Sequence, residues 1–123
     1  MSIEPFNDNS ILMMVDRSDH KIVEIDWRDS VAKKYGKMGN EKENEFYFPR
    51  LLRKVDEASF LVIDATEVMR MYSTAYKLMG KYFVYNLMHD FIVINKSVYA
   101  NGIYVDEGKH RPCQVEFAIW LPS

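Results

Sequence analysis

Alternation of apolar and polar residues near both ends constrains this chain more than any other feature. In residues 21–27, Val23, Ile25 and Trp27 fall on one face of an extended strand, because successive strand side chains point to opposite sides. Residues 11–15 form an apolar run, and Asp16, Arg17, Ser18, Asp19 and His20 separate the two runs as a polar turn. The stretch predicts an N-terminal β-hairpin. Near the other end Cys113, Val115, Phe117, Ile119 and Leu121 share one phase and Gln114, Glu116 and Trp120 the other, which predicts a closing strand. Residues 91–94, 97–100 and 103–105 are β-prone. Asn101-Gly102 supplies the positive φ angles of a two-residue turn, giving a C-terminal hairpin.

The middle of the chain reads differently. Ser30 caps a short helical turn ending at Gly36, and residues 36–45 carry two glycines and little to bury, so a mobile loop is expected there. Pro49 suits the first turn of a helix in which Leu51, Leu52, Val55 and Ala58 line one side and Arg50, Arg53, Lys54 and Glu57 the other. Residues 60–63 form a buried strand ending at Asp64. The spacing from Asp64 to Glu67 matches an N-cap carboxylate with a glutamate reaching back three residues later. A second helix is therefore expected to follow, with Val68, Met69, Tyr72, Ala75, Tyr76 and Met79 on its buried face and an end near Gly80. The expected fold class is α+β, a largely antiparallel sheet with two helices packed on one face, in a single domain without internal repeats.

Composition bounds the function. At 123 residues, with 48% hydrophobic residues and only five glycines and four prolines, the chain has the make-up of one globular domain. Sixteen basic against eighteen acidic residues leave a formal charge of -2, which makes a nucleic-acid partner unlikely on charge alone. No membrane span or export signal is read from the sequence, and one cysteine suits a reducing, cytoplasmic setting.

Each chemical constellation meets a simpler structural explanation. Cys113 with His110 or His89 suggests a nucleophile, but its phase with four large apolar residues marks a core thiol. Asp64 reads first as a cap, and Asp106, Glu107, Lys109 and His110 as loop charge. Gly36 to Gly39 lacks the Lys-Ser/Thr ending of a phosphate loop, and His20 beside Asp19 reads as a surface histidine. No catalytic residue, metal or cofactor is assigned.

What remains is contact chemistry. Arg70, Ser73, Thr74, Lys77 and Lys81 recur on the polar face of the expected second helix, a stripe suited to an acidic partner surface or to phosphate. Eight tyrosines and eight methionines, among them Tyr82, Tyr85, Tyr99 and Tyr104, suit a surface covered by another chain. The expected function is a non-enzymatic protein–protein interaction protein, with a protein partner or self-association. The alternative is a small-ligand or nucleotide binder, and a small hydrolase or nuclease using Asp64 or residues 106–110 comes third.

Overall fold

A computed structural model describes residues 3–39, 42–64, 68–83, 87–95, 97–106 and 109–115, with side chains within 3–39, 42–64, 68–82, 91–95 and at 98. The described residues contain no helix. They form β1 (Ile3–Phe6), β2 (Ile11–Asp16), β3 (Lys21–Asp26), β4 (Val31–Tyr35), β5 (Lys37–Met38), β6 (Glu45–Phe46) and β7 (Pro49–Asp56). These are followed by β8 (Ser59–Asp64), β9 (Val68–Ser73), β10 (Leu78–Phe83), β11 (Leu87–Ile94), β12 (Ser97–Asp106) and β13 (Lys109–Val115). Three antiparallel meanders result: a first sheet ordered β1-β2-β3-β4, a second ordered β7-β8-β9-β10 and a third ordered β11-β12-β13. The short β5 and β6 pair in parallel within the connection from the first sheet to the second.

The α+β expectation is thus overturned, and the reasons are local. The expected first helix is β7, whose ladder with β8 shifts register between Pro49 and Leu51 and again between Lys54 and Asp56. Those irregularities break the two-residue period and bring Leu51, Leu52 and Val55 into a spacing that mimics a helical face. The expected second helix is β9 and β10, with Thr74–Lys77 turning between them. In β9 both faces are buried, so Met69 and Met71 face one way, Arg70 and Tyr72 the other, and the run loses its alternation. Ser30 likewise ends a β-turn with φ 52° and leads into β4, not into a helical turn.

The N-terminal hairpin is present as β2 and β3, and the buried strand as β8. Asn101-Gly102, expected as a hairpin turn, runs instead through the middle of β12, opposite the register shift between Met88 and Asp90. Of the expected closing strand, β13 is described to Val115; residues 116–121 lie outside the described residues.

The sheets stack face to face. Phe6, Met13, Val15 and Ile22 of the first sheet pack against Leu52, Phe60, Val62 and Tyr72 of the second, with Phe46 of the connection between them. On its other face the second sheet presents Leu61, Ile63, Met69 and Met71 to Phe91 and Val98 of the third. Sandwiched this way, β8 is buried at all six positions.

The turns repeat a device that ends several strands. Asp16, Asp26 and Asp56 are each the last residue of a strand. Each accepts hydrogen bonds from groups two or three residues on: Asp16 from Ser18 Oγ (2.8 Å) and the Asp19 amide (3.2 Å), Asp26 from the Arg28 and Asp29 amides (3.2 and 3.3 Å), and Asp56 from the Ala58 amide and Ser59 Oγ (both 2.8 Å). An aspartate that bonds its own downstream backbone closes a turn without help from the partner strand. Asn7, Asp8 and Asn9 occupy three successive left-handed conformations, which short polar side chains tolerate best.

Candidate functional site

Two constellations of polar side chains lie between the first and second sheets, at opposite ends of the strands. The first is a buried ion pair. Asp64, at the end of β8, and Arg70, in β9, are both buried and meet at 2.7 Å between Oδ2 and Nη2. Arg70 Nη2 also donates to the Glu45 carbonyl (2.7 Å), and Nη1 donates to the Lys42 and Glu43 carbonyls (both 3.4 Å). Asp64 in turn accepts from the Tyr47 and Phe48 amides at 2.8 to 3.0 Å. The guanidinium lies 4.8 Å above the Phe46 ring, and Tyr72 adds its hydroxyl to the Glu43 carbonyl at 2.6 Å.

This network fastens the connection between the two sheets. Most of the segment expected to be mobile, 36–45, is thereby tethered: Lys37 and Gly39 amides donate to Asn44 and Phe46 carbonyls, and Lys21 Nζ donates to the Gly36 carbonyl at 3.0 Å. A buried carboxylate engaged by a guanidinium and two amides has its lone pairs occupied by structure, which is what its charge requires away from water. Asp64 bonds the backbone amides of residues 47 and 48, which no local spacing signals; the 65–67 segment on which the capping reading rests lies outside the described residues.

The second constellation is an open hollow of about 430 Å³ lined by Phe6, Asn7, Asp8, Ile11, Met13, Glu24, Glu57 and Thr74. Phe6, Ile11 and Met13 form an apolar floor, and three carboxylates and two neutral polar groups stand around it. Glu24 Oε1 accepts the Tyr76 hydroxyl at 2.8 Å across the two sheets. Burial first, and the Glu24 carboxylate second, push the Tyr76 phenol far above its ordinary range, so it stays a donor. Glu57 accepts from Lys54 Nζ and from the Asn7 amide (2.7 Å), and these bonds, the lysine's foremost, hold its carboxyl below the usual range.

The residues expected to form one basic stripe are divided between these places. Arg70 is buried in the ion pair, not on a surface. Lys81 stands opposite Arg70 in the β9–β10 ladder and is exposed. Ser73 and Lys77 close the β9–β10 turn, with Ser73 Oγ accepting the Lys77 amide at 3.2 Å, and Thr74 reaches the hollow. The change from helix to strand separates what a helical face would have aligned. Three carboxylates beside Thr74 also give that end a polarity opposite to one that attracts phosphate.

The carboxylates of the hollow come from three separate turns and strands, Asp8, Glu24 and Glu57, and no local spacing links them. Tyr76, placed on the buried face of a helix by its periodicity, sits instead at φ 62° in a turn. Readings that rest on the side chains of Cys113, His89, His110, Lys109, Asp106, Tyr85, Tyr99 and Tyr104, and on Glu107, lie outside the described residues, while Tyr82 packs half-buried on the second core. Among the described residues no three His, Cys, Asp or Glu side chains are grouped to hold a metal ion, and no helix is long and apolar enough to cross a membrane. The chain matches no protein-family model, and a search of curated proteins gives no match.

Proposed function

We propose that the chain is a non-enzymatic protein-binding module whose hollow between the first and second sheets receives a basic side chain of its partner. The observation that carries this reading is the pairing of an apolar floor with a carboxylate rim. A lysine or arginine buries its methylene stem against Phe6, Ile11 and Met13 while its charged head meets Asp8, Glu24 and Glu57. Such a contact contributes specificity and association rate more than raw affinity.

Titration of a fluorescein-labelled tetra-arginine peptide tests it. The double variant Asp8→Asn/Glu24→Gln is expected to weaken binding about tenfold, a loss on the scale of one charge-assisted hydrogen bond. The control Asp19→Asn/Asp29→Asn removes the same charge from exposed turns and is expected to leave binding near wild type. Equal losses in the two variants would reduce the effect to net charge and end the assignment of the hollow.

A further inference from the structure

The hollow already meets a cation of the chain's own. In β7, the outermost strand of the second sheet, Leu52 and Lys54 pair with Val62 and Phe60, residues of β8 that face the first sheet. Lys54 therefore shares their face and points toward the first sheet, whereas Val55 beside it packs on the other core. Its backbone amide donates to the Glu4 carboxylate of β1, which ties the two strands together at this point.

From there the side chain reaches the edge of the hollow. The Lys54 ammonium stands 5.3 Å from the centre of the Phe6 ring, part of the apolar floor, and pairs with Glu57, one of the three rim carboxylates. Glu57 is held from its other oxygen, where Oε2 accepts the Asn7 amide at 2.7 Å. An ammonium over Phe6 and on a rim carboxylate is the same pose that the hollow offers to a basic side chain of a partner.

This contact is easily opened. The Glu57 side chain is 61% exposed and that of Lys54 29%, so water competes for both, and a pair of this kind favours its closed form over its open one only severalfold. An incoming guanidinium can set two parallel bonds on Glu57 where the ammonium sets one.

We propose that Lys54 is a built-in competitor for the hollow, and that a basic side chain of the partner enters by displacing the Lys54 ammonium from Glu57. The proposal rests on the reading of the hollow as a site for such a side chain. While Lys54 occupies Glu57 the binding-competent form is a minor one, so the observed affinity is lowered by its fraction, and weakly basic partners are turned away.

Titration of the labelled tetra-arginine peptide tests the competition. Lys54→Met keeps an apolar stem over Phe6 and removes the charged head; it is expected to tighten binding about fivefold. Lys34→Met removes an equal charge at an exposed site beside Asp19, at the end of the first sheet far from Asp8, and is expected to change binding less than about twofold. In a Glu57→Gln background the gain from Lys54→Met should shrink to the Lys34→Met level, because no shared carboxylate is left to free. Lys54→Gln is the second variant without the head and should reproduce the gain, with thermal melts confirming that each protein is folded. Equal effects of Lys54→Met and Lys34→Met, a gain that persists in the Glu57→Gln background, or weaker binding in both Lys54 variants would each overturn the competition. If Asp8→Asn/Glu24→Gln weakens binding while the Lys54 variants give no gain, the competition fails and the hollow stands. Equal losses in the hollow variant and its turn control would overturn both.

Discussion

The first and second sheets share a four-strand meander and a strand-ending aspartate, yet they differ in what covers them. The second is covered on both faces, and every residue of β8 is buried; in the first, β2 buries Met13 and Val15 while Leu12 and Met14 stay half-buried. Two sheets of the same strand order therefore use different chemistry beside the aspartates that end β2 and β8. In the second sheet the position beside the strand-ending aspartate holds a buried arginine that engages Asp64 and three carbonyls of the connection. In the first, the residue paired two places before the strand-ending aspartate is Val23, and the connection is held by Lys21 Nζ on the Gly36 carbonyl and by a hydrogen bond between His20 Nδ1 and the Tyr47 carbonyl. Burial on both faces requires that the charged pair be paired and hydrogen-bonded, as it is at Asp64 and at both terminal nitrogens of Arg70, with Nε left without a partner; one open face imposes no such requirement.

The largest expected effect breaks that network. Arg70→Ala leaves Asp64 charged and buried, which should cost about 3–5 kcal/mol in urea unfolding, whereas Lys21→Ala should cost about 1 kcal/mol. A loss below about 1 kcal/mol for Arg70→Ala would show that the pair is solvated. Next comes a matched leucine truncation. Leu61→Ala, at a fully buried site, should cost about 2–5 kcal/mol, and Leu12→Ala, measured in dilute solution, under about 1.5 kcal/mol. Similar losses at the two sites would mean that the first sheet is covered as fully as the second.

The junction of the two sheets gives a third test. Gly36 has φ +116°, and a Cβ there would lie 2.6 Å from the Phe46 ring, so Gly36→Ala should cost about 1–3 kcal/mol by thermal melting. A neutral result would mean that the connection relaxes freely.

Alkaline pH supplies a smaller, graded effect. Burial raises the phenols of Tyr72 and Tyr76 above the ordinary value of 10.0, so the folded state holds protons that the unfolded chain releases. Their contribution to stability is complete below pH 10.0 and is lost as pH climbs from there through the folded-state values. Tyrosinate absorbance from these residues should therefore appear together with unfolding; gradual ionisation in the folded protein would contradict it. The smallest effect is expected for Glu57→Gln, since its pair with Lys54 stands at the surface and should leave the melting midpoint nearly unmoved.

Parts of this arrangement were legible in the residues and parts were not. The N-terminal hairpin shows because its β3 strand alternates, although the alternation has the opposite sense to a simple buried face: Ile22 and Glu24 face the second sheet, and Val23 and Ile25 lie on the outer side. The second sheet hides for the opposite reason: burial on both faces fills β8 and β9 with apolar residues at consecutive positions, and the bulges in β7 supply a helical spacing. Asp64 and Glu67 added a capping pattern that pointed to a helix. The usable signal was the aspartate ending strands at 16, 26 and 56, each of which closes the turn that follows it. The hollow had no such signal, because Asp8, Glu24 and Glu57 converge only through the stacking of sheets.

Amide hydrogen exchange in dilute solution tests the stack most directly. With β8 enclosed between two sheets, the amides of residues 59–64 are expected to exchange only through global unfolding, and those of residues 11–16 in β2 through easier local opening. Equal protection in the two strands, or slower exchange in β2, would contradict the placement of the second sheet at the centre.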